Sequence, residues 1–527
     1  MIRHGDRLVT GLLALLLLWA PLPFGSVTPR SLALLELGAF LAFALALGIA
    51  VRRDERAGRA GLADLGLVAL PLASLAAVAL WGLLQSLPWP AALLAWISPE
   101  HARLFRGAAG LLAANAAASP PAGAAVHPSL SLAASESRAA ALAFAAAAAA
   151  LGAAALVGRD RRNRRPLGAA LAAAAAFQVF FGARTWSSRG TVVWGVEVPG
   201  TPRLRGSFVN PDHLALYLGM ALPVAFAWGW WAMRRARKEP SVERRVLWVA
   251  PPVLLWLTLF AGLAFTGSRA GLVAGVAAVA LQGLLLATAD RQLGRALVGA
   301  AAAVLGLGVV AAIGLQEGLG RLLSTPIDLT WGARREAWAA TWALFRRFPW
   351  TGAGLGSFRE AFPLAQPTGL AGTWRHAHND PLELLATVGL IGVALALPGL
   401  VAIAGRLAAV LRDGRRSEDR ASGLAALGVL AALAVHEPLD FGLTIPANAL
   451  TLAIVLGAAA SARTVQPGGA GGPAGGARAG AHEAAGADER HRAGADRPPA
   501  DALDLEPVKP GGQGVGKRHR RPRDRRR

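Results

Sequence analysis

The chain contains no cysteine among its 527 residues, which excludes disulfide bridges, thiolate catalysis and cysteine-based metal sites. It also has few charged side chains: 16% of residues are charged, 54% are hydrophobic, and the mean hydropathy is +0.43. Such a chain is too apolar for an ordinary soluble domain. Several charge-poor runs reach the roughly 20 residues that a membrane span needs. The composition therefore predicts a membrane protein.

Acidic residues are scarce beside the basic ones, with 32 Asp and Glu against 54 Lys and Arg, and the net charge is +22. A basic excess of this size can serve nucleic-acid binding, because cations neutralise phosphates. Here the basic residues lie in short clusters between apolar runs and in the C-terminal tail. This distribution is typical of the charge bias that orients membrane proteins, so no nucleic-acid partner is expected.

The apolar runs, divided at charged residues, predict an all-α, polytopic helical bundle with about twelve transmembrane helices. The approximate spans are Leu8 to Phe24, Ser31 to Val51, Leu62 to Leu84, Ala139 to Val157, Pro166 to Gly182, Leu214 to Trp231, Leu247 to Phe265, Leu272 to Thr288, Ala296 to Leu315, Leu382 to Ala404, Ser422 to Pro438 and Ile445 to Ala462.

Basic segments fall in every second connection, and the positive-inside tendency places them in the cytoplasm together with both termini. They begin at Arg52, Gly158, Arg234, Asp290 and Arg406. Long segments at 85–138, 183–212 and 316–381 then face outward. The last is a large loop before the tenth span, and its GARREAWAATWALFRRF stretch reads as an amphipathic helix that ends at Pro349.

Two sequence regions are predicted: a transmembrane domain over 1–465, with its outer loop at 316–381, and a tail over 466–527. The tail is rich in Gly, Ala, Pro and Arg and cannot bury enough apolar surface to fold alone. It is expected to be disordered, basic and cytoplasmic. Its basic end either binds anionic lipid headgroups or is simply solvated.

The outer loop ends in RHAHNDPLELL, which places His376 and His378 just before a span. An imidazole at a membrane surface is suited to general-base work, because its unperturbed pKa is near neutrality. On a helix the two rings would diverge by about 200°, so either one acts alone or the segment is extended. The alternatives are histidines that cap the helix or bond the loop, and a metal site, for which Asp380 alone offers a nearby acidic ligand.

Arginines in the outward-facing segments are the second group of candidate functional residues. Arg269 sits in TGSRAG, a short outer link between two spans, where topology disfavours a cation. Such an arginine either faces the bundle interior and binds an anion or snorkels to the interface. Arg205, in RGSFVNPDHLALYLG, is another candidate anion ligand, and Asp212 is expected to cap the helix that follows.

Seven motifs follow one another over nearly all of the chain before the tail. They are PLPFGSV; LPWPAALLAWISPEHARLF followed by HPSLSL; RGSFVNPDHLALYL; TGSRAG; GARREAW with FPWTGAGLGSFREAFP; RHAHNDPLELLATVGLIG; and HEPLDFGLTIPANALTLAIVLG. In this order they resemble the motifs of the O-antigen ligase-like family.

The resemblance implies a transferase of the bacterial inner membrane that takes a glycan from undecaprenyl pyrophosphate on the periplasmic side, without metal or other cofactor. It implies His378, with His376 beside it, as the catalytic base. Arg205 and Arg269 are implied as pyrophosphate ligands, with Arg334 as a further candidate beside the adjacent Arg335. The implied partners are the lipid-linked glycan donor, a lipid A-core or other glycan acceptor, and membrane lipids.

Three functions stay open at this point. The resemblance favours an O-antigen ligase, which joins a finished glycan to its acceptor, and the alternative within the family is a polymerase of repeat units. A lipid or solute transporter belongs to another class. Transporters commonly carry intramembrane charge at a midplane site between repeated halves, whereas the candidate polar residues here cluster at the outer face.

Overall fold

The computed structural model describes residues 2–56, 65–114, 128–187, 192–198, 203–289 and 327–465. Fifteen α-helices lie in these residues: α1 (Ile2–Trp19), α2 (Pro29–Arg56), α3 (Ala69–Ser86), α4 (Ala91–Ile97), α5 (Pro99–Ala114), α6 (Ala134–Gly158), α7 (Arg161–Ser187), α8 (Pro211–Ala236), α9 (Val242–Phe265), α10 (Arg269–Ala289), α11 (Ile327–Arg347), α12 (Phe358–Ala361), α13 (Asp380–Asp413), α14 (Ser417–His436) and α15 (Pro446–Ala460).

Short elements complete the described fold. Four 3₁₀ turns occupy Phe24–Ser26, Leu65–Val68, Phe362–Leu364 and Glu437–Leu439. A two-stranded antiparallel hairpin, β1 (Val192–Val193) and β2 (Val196–Glu197), pairs Val192 with Glu197 and Val193 with Val196. The protein is therefore a polytopic helical membrane protein with almost no sheet in its described parts.

Nine helices in the described ranges are long and apolar enough to cross a membrane, and each corresponds to one predicted span: α2, α3 with its preceding 3₁₀ turn, α6, α7, α8, α9, α10, α13 and α14. The first and last predicted spans are the helices α1 and α15, and α15 is a shorter apolar helix. The predicted span Ala296 to Leu315 and the tail 466–527 lie outside the described residues. The amphipathic helix predicted in the outer loop is α11.

Helix α8 lies at the centre of the bundle, since 83% of its apolar 18-residue stretch is buried. It packs against α9 and α14, while the alanine-rich α6 packs against α2, α3 and α15. Small side chains allow such close helix approach in membranes. At one end of the bundle, the first turn of α8, the start of α13 and the connection between α14 and α15 converge, and they carry the candidate site.

Candidate active site

The two predicted histidines lie in irregular backbone immediately before α13. The helix begins after Asn379, whose side-chain oxygen accepts a 3.0 Å hydrogen bond from Leu382 N, a normal N-cap. His378 has a φ of +53°, in the left-handed region that a non-glycine residue seldom adopts. The segment is thus neither helical nor a regular strand, and both rings still reach the same neighbour, Phe441.

Each histidine contacts its own carboxylate. His376 Nδ1 lies 3.0 Å from Glu383 Oε1, and Glu383 Oε2 accepts a 2.7 Å hydrogen bond from Ala377 N. His378 Nδ1 lies 3.3 Å from Oδ1 of Asp440, which also accepts a bond from Phe441 N. A carboxylate on Nδ1 fixes the tautomer, because it requires a proton there and leaves Nε2 as the lone-pair nitrogen.

Two members of these histidine–carboxylate pairs, His376 and Asp440, have shifted pKa values. Burial lowers the pKa of His376, but the hydrogen bond to Glu383 and its charge outweigh burial, so the pKa is raised overall. Burial raises the pKa of Asp440, yet the hydrogen bond from His378 and the nearby His436 and His213 bring it down to about 2. Asp440 is therefore ionised at neutral pH, and the protonated form of His376 is stabilised relative to that of an ordinary histidine.

Phe441 brings three histidines together. The ring of His376 stacks on it at 4.3 Å between centroids, and those of His378 and His213 approach edge-on at 4.6 and 4.7 Å. His213 belongs to the first turn of α8, so the aromatic ring joins this helix to the segment before α13. An open cavity of about 370 Å³ adjoins the cluster, lined by Ala371, Gly372, Thr373, Trp374, Arg375, His376, His378 and Phe441.

Arg334 is held beside this cluster. Its Nη1 donates a 2.8 Å hydrogen bond to Leu439 O, in the turn that precedes Asp440. The neighbouring Arg335 is exposed. Of the two adjacent arginines that the sequence did not separate, Arg334 is therefore the one that contacts the site.

Arg205 and Arg269 lie in a second group at the same end of the bundle. The segment before α8 runs along the turn between α9 and α10, because Leu204 N donates to Phe265 O and Arg203 Nε to Thr266 O. Arg205 is 3% exposed, and burial, followed by the charge of Arg203, lowers its pKa. Arg269 is half-buried at the first position of α10.

The first turn of α8 connects the two groups. Asp212 accepts a 2.8 Å hydrogen bond from Arg203 Nη2, and the next residue, His213, contacts Phe441. The expectation that Asp212 caps α8 is wrong. Asn210 is the N-cap, since its side-chain oxygen accepts from Asp212 N, and the carboxylate of Asp212 is left to pair with Arg203.

Sequence reasoning missed the partners of the histidines, namely Glu383, Asp440, Phe441 and His213. Signals were present, since Glu383 follows the N-cap by one helical turn and Asp440 and Phe441 lie in the HEPLDF motif. Nothing in the sequence pairs Asp440 with a residue 62 positions earlier. Over the described residues, no group of three or more His, Asp or Glu side chains is arranged to hold a metal ion.

Comparison with known proteins gives one family. Residues 253–397 match a family model described as O-antigen ligase, a little over a quarter of the chain, running from α9 into α13. The matched segment contains Arg269, Arg334, His376 and His378, whereas Arg205 and Asp440 lie outside it. No curated protein matches the chain. Through this segment the chain is similar to the O-antigen ligase family.

Proposed function

We propose that the protein is a membrane glycosyltransferase that moves a glycan from undecaprenyl pyrophosphate to an acceptor hydroxyl at the periplasmic face of the bacterial inner membrane. The observation that carries the proposal is the pair of histidines, each bonded to its own carboxylate, on one aromatic ring beside an open cavity. The similarity of residues 253–397 to the O-antigen ligase family supports glycan transfer in general.

The reaction needs a base and a site for an anion. The acceptor oxygen attacks the anomeric carbon, the bond from that carbon to the pyrophosphate oxygen breaks, and the configuration inverts. His378 accepts the hydroxyl proton on Nε2, and the ionised Asp440 stabilises the imidazolium that forms. His376, held toward its protonated form by Glu383, supplies positive charge beside it.

Arginines neutralise the leaving pyrophosphate. A planar guanidinium matches two phosphate oxygens at once, which an ammonium group does not. Arg334 is bonded to Leu439 O, next to Asp440, and Arg205 and Arg269 belong to the group connected to the histidines through α8. Pyrophosphate is already a good leaving group, so positioning and charge neutralisation suffice and the proposed mechanism uses no metal or other cofactor.

The identity of the acceptor distinguishes a ligase from a polymerase. We propose a ligase, whose acceptor is a lipid A-core or another glycan. A strain lacking the protein should accumulate finished lipid-linked polymer with bare acceptor. Single repeat units joined to the acceptor would instead identify a polymerase, and unchanged glycans with altered transport of a lipid or solute would identify a transporter.

Purified variants test the chemistry. His378→Ala should lower turnover of lipid-linked donor by about 10²- to 10⁴-fold, the usual loss on removing a general base. His4→Ala, an exposed histidine on α1, is the matched control and should keep full activity. Near-normal turnover of His378→Ala in folded protein would remove His378 from the role of base.

Arg269→Lys separates geometry from charge. It keeps the positive charge but loses the fork that holds two phosphate oxygens, so turnover should fall by about tenfold or more. Arg244→Lys, an exposed residue in the first turn of α9, is the control. Equal activity of Arg269→Lys and its control would exclude a bidentate role. Turnover is measured with and without chelator, and loss of activity on chelation would contradict the metal-free mechanism.

A further inference from the structure

A large basic groove lies at the opposite end of the bundle from the histidines. It has a volume of about 1290 Å³ and is formed by α7, α8, α9, the start of α14 and the connections next to them. Helix α8 lines the groove from Ala221 onward, and its groove cation Arg234 lies about 35 Å along the helix from the first residue, Pro211. The groove is thus separate from the candidate active site.

The lining of the basic groove is unbalanced in charge. Eight cations face it against one acidic side chain, Glu418. Arg165 is bonded to Glu418 at 2.7 Å, and the buried Arg164 is paired with Asp419, so both pairs tie α7 to α14 and fix the walls. The eight cations are Arg161, Arg164, Arg165, Arg234, Arg235, Arg237, Lys238 and Arg416. A cavity with this excess of positive charge favours an anionic occupant.

Tryptophans lie between the cations and the apolar part of the groove. The guanidinium of Arg165 lies over Trp231 at 5.9 Å, and that of Arg235 over Trp248 at 5.5 Å. Tryptophan is enriched at the level of lipid headgroups, where one side of the ring is apolar and the other wet. Beyond these rings the wall is apolar and includes Leu171, Val224 and Leu255.

We propose that the basic groove binds an anionic glycerophospholipid, with its phosphate among Arg234, Arg237 and Lys238 and its acyl chains along the apolar wall. The charge selects an anion, and the depth of apolar surface selects one that carries hydrocarbon. A soluble phosphate would use only the first of these features. With the histidines on the periplasmic face, the lipid comes from the cytoplasmic leaflet.

The test uses the full-length protein in detergent, delipidated and titrated with phosphatidylglycerol or phosphatidylcholine. Bound lipid is counted by native mass spectrometry, and the thermal midpoint is followed by tryptophan fluorescence. Phosphatidylglycerol should bind at least about tenfold more tightly than phosphatidylcholine and raise the midpoint further. Glycerol 3-phosphate, the soluble headgroup fragment, should leave the midpoint unchanged.

Two variants test the charge of the groove and the volume of its apolar part separately. Arg234→Gln with Arg237→Gln should weaken phosphatidylglycerol binding by about tenfold or more. Gly168→Leu keeps every charge and fills the apolar wall, and an added Cβ at Gly168 meets open space, so the fold is preserved. It should also weaken binding. Arg412→Gln with Arg415→Gln, two exposed arginines at the same end of the bundle but outside the groove, is the control.

The proposal fails if phosphatidylcholine binds as well as phosphatidylglycerol, or if glycerol 3-phosphate alone reproduces the rise in the midpoint. It also fails if the control loses as much affinity as the groove variant, because that result indicates general surface charge. If Gly168→Leu binds phosphatidylglycerol as tightly as the wild type does, the acyl chains do not lie in the groove.

Discussion

At the residue scale, the two histidines differ in the carboxylate that each contacts and in what that contact does. Asp440, 2% exposed, is kept ionised by the histidines around it, so it orients His378 without competing for its proton. Glu383 instead raises the pKa of His376. Two similar side chains separated by one residue thus have different surroundings, which agrees with the different roles proposed for them, a base for His378 and a cation for His376.

The dependence of thermal stability on pH should show whether protonation of His376 stabilises the protein. The pKa of His376 is raised above its ordinary value of 6.5, so its pairing with Glu383 stabilises the fold fully below that value. The stabilisation is lost as pH rises through the raised pKa. The thermal midpoint of the wild type should therefore exceed that of His376→Gln by more at about pH 5.5 than at about pH 9.

Glu383→Gln, which removes the cause of the shift, is the companion variant. The difference in thermal midpoint between Glu383→Gln and His376→Gln should depend much less on pH. A gap between wild type and His376→Gln that stays constant, or grows toward high pH, would show that the charge of His376 does not stabilise the protein.

At the element scale, α13 is interrupted by Gly389, whose φ is +66°. The loop before α12 supplies the backbone partners that the interrupted helix lacks, since Leu390 N donates to Pro349 O and Ile391 N to Trp350 O. The buried Gln85 side chain joins the two segments through Thr351 O and Thr387 O. Irregular backbone at membrane depth is tolerated where protein satisfies its polar groups in this way.

Gly389→Ala should destabilise the protein. An added Cβ would clash with Trp350 O, and the positive φ alone costs about 1–3 kcal/mol. Gly405→Ala in the same helix is the control, because its Cβ meets open space and alanine favours helix by about 0.5–1 kcal/mol.

Thermal midpoints of the two variants in detergent provide the comparison. The midpoint of Gly389→Ala should fall by several degrees and that of Gly405→Ala should be unchanged or higher. Equal midpoints would mean that the break in α13 adapts to a side chain at no cost.

At the scale of the whole molecule, two polar sites lie at opposite ends of the helical bundle. The histidines and the arginines near α8 lie at one end, and the basic groove lies at the other. Nine helices in the described ranges are long and apolar enough to span a membrane between these ends. The positive-inside tendency predicts that the groove end is cytoplasmic and the histidine end periplasmic.

The absence of native cysteine makes this orientation testable. Cysteine replacing the exposed Arg335, next to the site, should react with an impermeant thiol reagent in intact cells. Cysteine replacing the exposed Arg415, at the groove end, should react only after the membrane is opened. Labelling of the second residue and not the first in intact cells would invert the topology.

The sequence by itself determined the helices of this protein and the types of residue at its candidate site. Apolar runs of membrane length and alternating basic connections are local properties, and nine predicted spans in the described ranges are confirmed as helices because local hydrophobicity dictates them. His376, His378 and the arginines could likewise be proposed from local motifs.

Only the tertiary structure decided which groups meet. Asp440 pairs with His378 across 62 residues, Arg334 reaches Leu439 across 105, and the groove combines residues of four helices. Such contacts depend on how helices pack side by side, and small residues such as those of α6 permit many packings of the same apolar pattern. Hydrophobicity places a helix in the membrane, whereas its neighbours are selected by the shape of all the helices together.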